Sequence, residues 1–115
     1  MDYNREITKP TFCVAPWMET HISVEGKIMP CCIYDEKNPF GNFKNDTLEE
    51  AYNSDRAKQA RKDLTSGIKH DGCSRCWRQE ELTGESYRTR HNEFYGETAI
   101  AALINTKPDF SIQPL

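Results

Sequence analysis

A small α+β fold is expected from three features of the sequence. Thr20-His21-Ile22-Ser23-Val24 alternates polar and apolar residues, turns at Glu25-Gly26 and returns through Lys27-Ile28-Met29, which is the pattern of a β-hairpin. Helix-start signals at Thr47 and at Asn53-Ser54 announce short helices further along. Five cysteines lie in a chain of 115 residues that is only 37% hydrophobic, so the core is thin and the cysteines demand a reason. The architecture these features predict is a small β-hairpin followed by short helices around a four-cysteine metal centre.

The elements follow in order. Residues 1–11 form a polar arm ending near Pro10. In the hairpin, Gly26 takes the turn position that needs a positive φ, and Pro30, which lacks an N–H, ends the ladder or holds it at an edge. Tyr34 to Asn45 carries Asn, Asp, Pro and Gly without periodicity and is expected to be a loop. Thr47-Leu48-Glu49-Glu50 is a capping box, which predicts a short helix to about Tyr52. Asn53-Ser54 then caps a second helix from Asp55 to Ser66, closed by Gly67, with Ala57, Ala60 and Leu64 as its apolar stripe. Cys73 to Leu82 is expected to turn into a helix that stops near Gly84. A last helix from about Glu93 to Asn105 buries Phe94, Ile100, Leu103 and Ile104, and Asp109 to Leu115 trails as an extended tail. The domain organisation is thus an arm (1–11), a metal-binding module (12–92) and a C-terminal helix with tail (93–115).

Bulk properties narrow the function. The chain has the length of one domain and excludes a large multi-site enzyme. A net charge of -3 gives no reason to expect nucleic acid as a partner. No run approaches the ~18–20 apolar residues of a membrane span, and Asp2, Arg5, Glu6 and Lys9 leave no room for a signal peptide. The expected compartment is the cytoplasm, where cysteines serve as metal ligands or catalytic groups more often than as disulfides. Their odd number also argues against a full disulfide framework.

The cysteines are Cys13, Cys31, Cys32, Cys73 and Cys76. Cys73-Ser74-Arg75-Cys76 is a CxxC knuckle, whose two-residue spacer lets both thiolates reach one metal centre. Folding the hairpin brings Cys13 and Cys31 to the same end of the ribbon, and two pairs make a four-cysteine site. Cys32 is the alternative to Cys31, since neighbours in extended chain face opposite ways; Cys31 is taken as the ligand and Cys32 as a packed thiol. Four thiolates suit structural zinc or an iron–sulfur cluster, and spacing does not choose between them. Structural zinc supplies about 10–16 kcal/mol in small peptides, against about 5–15 kcal/mol for the stability of a whole domain. A metal centre would therefore rival the core as a source of order.

Longer stretches carry a family resemblance. Cys13, twelve residues, Gly26, four residues, Cys31 is similar to the opening signature of the SPASM and twitch modules of radical SAM proteins. Phe12-Cys13-Val14-Ala15-Pro16-Trp17 and Gly26-Lys27-Ile28-Met29-Pro30-Cys31-Cys32 agree with it. So do Gly41-Asn42, Thr47-Leu48-Glu49-Glu50, and Arg61 before Leu64. Cys73-Ser74-Arg75-Cys76 through Glu80, Gly84, Ser86 and Arg88 resembles the close of the twitch version. The resemblance implies an auxiliary [4Fe–4S] cluster bound by Cys13, Cys31, Cys73 and Cys76. A radical SAM catalytic domain, or another protein, would be the partner. The cysteines of a second cluster are missing, which favours a single-cluster twitch. The CxxxCxxC triad of the SAM-cleaving cluster is missing too, so radical generation is expected elsewhere, with this chain as a fragment or a free-standing accessory.

Other residues receive plainer readings. Trp17 and Trp77 are expected to fill the small core and to shield a cluster from water. His21, His70 and His91 are read as solvated or strand-face side chains, with His70 the one reserve ligand. Arg56, Lys58, Arg61 and Lys62 share a helix with Asp55 and Asp63 and are read as a solvated face. Arg75, Arg78, Arg88 and Arg90 follow the knuckle and could steady an anionic cluster or meet a partner. No phosphate-binding loop, HExxH or Cys–His pair points to catalysis by the chain itself.

Overall fold

A computed structural model describes residues 10–94 and shows an α+β fold. Helix α1 (Ala15–Met18) is followed by β1 (His21–Ile22), β2 (Lys27–Met29) and β3 (Gly41–Asn42). Next come α2 (Leu48–Tyr52), α3 (Asp55–Thr65), a 3-10 turn (Asp71–Cys73) and α4 (Ser74–Thr83). Residues 87–94 are helical again and are designated α5. Among the described residues no helix is long and apolar enough to cross a membrane.

The hairpin forms, with His21 opposite Met29 and Ile22 opposite Ile28. Its strands are shorter than the alternation predicts because Ser23 captures the turn. The Ser23 hydroxyl accepts the amides of Glu25 (3.3 Å) and Lys27 (3.1 Å), which leaves Val24 fully exposed at the tip. Gly26 adopts φ +88° as the turn requires. The loop predicted between Tyr34 and Asn45 contains a third strand: β3 pairs antiparallel with β2, with Lys27 opposite Asn42 and Ile28 opposite Gly41. Two residues, one of them glycine, carry no alternation by which a strand could be recognised.

Local signals set the helices. Thr47 and Glu50 exchange side-chain-to-amide hydrogen bonds of 3.1 and 2.9 Å at the start of α2. Ser54 accepts the Ala57 amide at 3.2 Å to begin α3, and Gly67 just beyond it takes φ +82°. Ala57, Ala60 and Leu64 are fully buried as predicted, and they pack with Ile28, Met29, Tyr34, Phe40, Ala51 and Trp77 around Cys13 and Cys31. Gly84 at φ +81° closes α4.

Two readings require correction. Arg61 does not belong to a solvated face: it is 0% exposed, donates from Nε to the Pro16 carbonyl at 3.1 Å and lies over the Tyr52 ring at 4.0 Å. Asp63 and His70 are likewise buried, and they bond each other. Most of the helix expected from about Glu93 to Asn105 lies outside the described residues; a helix not expected starts at 87, where Ser86 and Thr89 cap it through reciprocal bonds of 2.9 and 3.3 Å. Phe94 on it is exposed; Ile100, Leu103, Ile104 and the tail lie outside the described residues. The arm also lies outside them up to residue 9, while Thr11 is buried and donates to the Leu64 carbonyl at 3.0 Å.

Candidate metal centre

Four segments converge where the hairpin ends. Cys13 directly precedes the first turn of α1, and Cys31 follows β2 after Pro30 has ended the ladder. Cys73 closes the 3-10 turn and Cys76 sits in the first turn of α4. Cys13, Cys31 and Cys76 are buried and Cys73 is half-buried, whereas Cys32 is exposed. Cys73 feels the field of Cys13, Cys31 and Cys76, and Cys13 that of Cys31 and Cys76. Cys32 instead turns toward the Tyr87 hydroxyl. None of the five is in a disulfide.

Burial dominates the chemistry of these sulfurs. It pushes the Cys13 and Cys31 thiols up to about 12 and raises Cys73 and Cys76 as well, and neighbouring sulfurs add to the rise at Cys13, Cys31 and Cys73. Buried thiolates need compensating positive charge or hydrogen-bond donors, and the surroundings supply donors. The backbone amides of Ala15, Ile33 and Arg88 favour the thiolates of Cys13, Cys31 and Cys76 respectively. The Ser86 hydroxyl also faces Cys76. Among the described residues no three His, Cys, Asp or Glu side chains crowd closely enough to share one metal ion.

α5 braces the first ligand segment. Arg88 donates from Nη1 to the Phe12 carbonyl at 2.7 Å, grips Glu80 through Nε and Nη2, and covers the Trp77 ring at 5.1 Å. Asn92 brackets Cys13, with Nδ2 donating to Phe12 O at 2.8 Å and Oδ1 accepting Val14 N–H at 2.9 Å. Trp17 stacks on Phe12 at 5.5 Å, and Trp77 donates its indole N–H to the His70 carbonyl at 2.8 Å, so both tryptophans are core groups beside the cysteines. Of the other predicted arginines, Arg75 and Arg78 are exposed on α4, and Arg90 pairs with Glu85 at 3.5 Å on the surface.

His70 is unsuited to the role of reserve ligand, because Asp63 and Tyr34 occupy both of its ring nitrogens. His91 stacks on Tyr87 at 4.2 Å and reaches Glu19 at 3.1 Å, and His21 stays on the strand. Asn92 is the residue that the sequence reading missed. The Ser86-x-x-Thr89 spacing is the signal that could have placed its helix.

A family model for an iron-sulfur cluster-binding domain, SPASM, matches residues 13–77. The chain belongs to the SPASM family. No curated protein and no solved structure matches it. The SPASM match spans all four convergent cysteines, while Ser86, Arg88 and Asn92, which complete the surroundings of Cys13 and Cys76, lie beyond it. The donor set fits an iron–sulfur cluster. Three buried sulfurs and one half-buried one offer soft ligands, and neighbouring amides with the guanidiniums of Arg88 and Arg56 offset the negative charge such a centre carries.

Proposed function

We propose that residues 12–92 form a twitch-like SPASM module that binds one [4Fe–4S] cluster through Cys13, Cys31, Cys73 and Cys76. The observation that supports this reading is the burial of Cys13 and Cys31 in one core cluster with Cys73 packed against it and Cys76 buried one turn further on, while Cys32 is left at the surface.

The cluster serves radical SAM chemistry carried out by a partner catalytic domain in the cytoplasm, because the chain holds no CxxxCxxC triad of its own. With every iron ligated by protein, electron relay or structural anchoring suits the module better than direct ligation of substrate. Anaerobic reconstitution followed by metal analysis tests the reading. Iron and sulfide bound in equal amounts, and lost on Cys→Ser change at any of the four positions, is the expected result. Zinc in their place, or no metal at all, would overturn it.

A further inference from the structure

The strongest polar feature outside the thiols is a buried junction at His70. Its side chain is 0% exposed, and four segments meet on it. Nδ1 faces Asp63 Oδ2 of α3 at 2.9 Å, and Nε2 faces the Tyr34 hydroxyl at 2.7 Å, just past the Cys31 segment. The Asp63 carboxylate can only accept, so Nδ1–H donates to it, and with the imidazole neutral Tyr34 donates to Nε2; the other Asp63 oxygen receives Gln59 Nε2 at 2.6 Å. The His70 carbonyl accepts the Cys73 amide at 3.1 Å and the Trp77 indole at 2.8 Å.

Tyr34 completes the joint. Its ring stacks on His70 at 5.7 Å and presses on Gly72, where an added Cβ would come within 2.3 Å of the ring. The next residue, Asp35, donates its amide to the Gly72 carbonyl at 3.0 Å. The segment carrying Cys31 and the segment carrying Cys73 are thus fastened together through Tyr34 and His70, although neither touches the other through a regular element.

We propose that Tyr34 and His70 are positioning residues for the cluster: the Asp63–His70–Tyr34 chain fixes the separation between Cys31 and Cys73 before any metal arrives. This rests on the SPASM reading above and goes beyond it by assigning a role to residues that do not ligate. A preset separation resists iron loss and sets the geometry that the bound cluster must accept.

The test compares wild type with Tyr34→Phe, which removes a single hydroxyl, with His70→Ala and His70→Gln, and with Thr47→Ala as a destabilised control far from the junction. In the metal-free chain, amides of residues 71–77 should exchange at least tenfold faster in Tyr34→Phe and His70→Ala, with α2 unchanged. After reconstitution, both variants should surrender iron to a chelator at least tenfold faster and shift the midpoint potential and EPR signal of the reduced cluster. His70→Gln should recover part of this, and Thr47→Ala should alter none of it.

Exchange and iron retention like wild type in Tyr34→Phe would overturn the proposal, as would equal iron loss from Thr47→Ala. If His70→Ala fails to fold, Tyr34→Phe decides alone. Wild-type protein that takes up no iron would refute the SPASM reading instead, and the exchange measurement would still decide this one.

Discussion

Arg88 holds Glu80 with two nitrogens of its guanidinium and spends the third on the carbonyl of Phe12, directly before Cys13. One side chain thereby joins α4, α5 and the first cysteine segment. Both partners are largely buried, so removing one leaves an uncompensated charge. Arg88→Ala should destabilise the chain by about 3 kcal/mol, since breaking a buried pair typically costs 3–5 kcal/mol. Arg88→Lys should recover little of this, because an ammonium cannot make the forked contact. Urea unfolding of the metal-free protein measures both, and an Arg88→Lys variant equal to wild type would contradict the geometry.

The same pair sets a pH dependence. Burial works to raise the Glu80 carboxyl, but the hydrogen bonds from Arg88 and Ser86 and the Arg88 charge outweigh it and hold the group below its ordinary 4.5. A group depressed in the folded state binds its proton more readily when unfolded. Its stabilisation is therefore complete above about pH 4.5 and disappears as pH falls through the lower folded value. Glu80→Gln should flatten this acid limb while lowering stability at neutral pH. Parallel stability curves for the two proteins between about pH 5 and 3 would refute the assignment.

Two glycines should respond differently to alanine. At Gly72 the new Cβ would meet the Tyr34 ring at 2.3 Å, with the ring itself fixed by His70. Overpacking of this kind costs about 1–3 kcal/mol and should also weaken cluster retention. At Gly84 nothing lies within 4 Å, and the only penalty is the φ of +81°. Gly84→Ala should cost about 1 kcal/mol and leave any cluster untouched. Thermal unfolding with and without iron separates the two cases.

Neighbouring cysteines should diverge just as clearly. Cys31 is buried among the other sulfurs and Cys32 is exposed beside Tyr87. Cys31→Ser should abolish iron binding, while Cys32→Ala should bind iron like wild type and change stability by less than about 0.5 kcal/mol, as an ordinary surface substitution does. Equal losses at both positions would show that the ligand had been misassigned. Iron content and visible absorbance after anaerobic reconstitution read the difference.

What the sequence made legible is what depends on near neighbours. Thr47 and Glu50 bond across three positions, Gly26 is needed for its own φ, and the CxxC spacing is itself local. Burial of Arg61, Asp63 and His70 was not legible, because a polar side chain is buried only when partners from distant segments satisfy it. Pro16, Tyr52 and Tyr34 are those partners, and they lie in other elements. β3 escaped notice for the same reason, since two residues become a strand only by joining β2. Asn92 was missed because its value lies in the Cys13 backbone far upstream.

The wide separation in sequence between Cys13 and Cys76 bears on the order of assembly. Hairpin, capping box and α3 close over short loops and lose little chain entropy in doing so, so they form early. The sulfurs meet only when the two ends of the described chain come together, which makes their convergence the last and most entropically demanding closure. A centre delivered to this protein would meet that long-range joint already held by Arg88, Asn92 and the His70 junction, so loading would follow the closure rather than drive it.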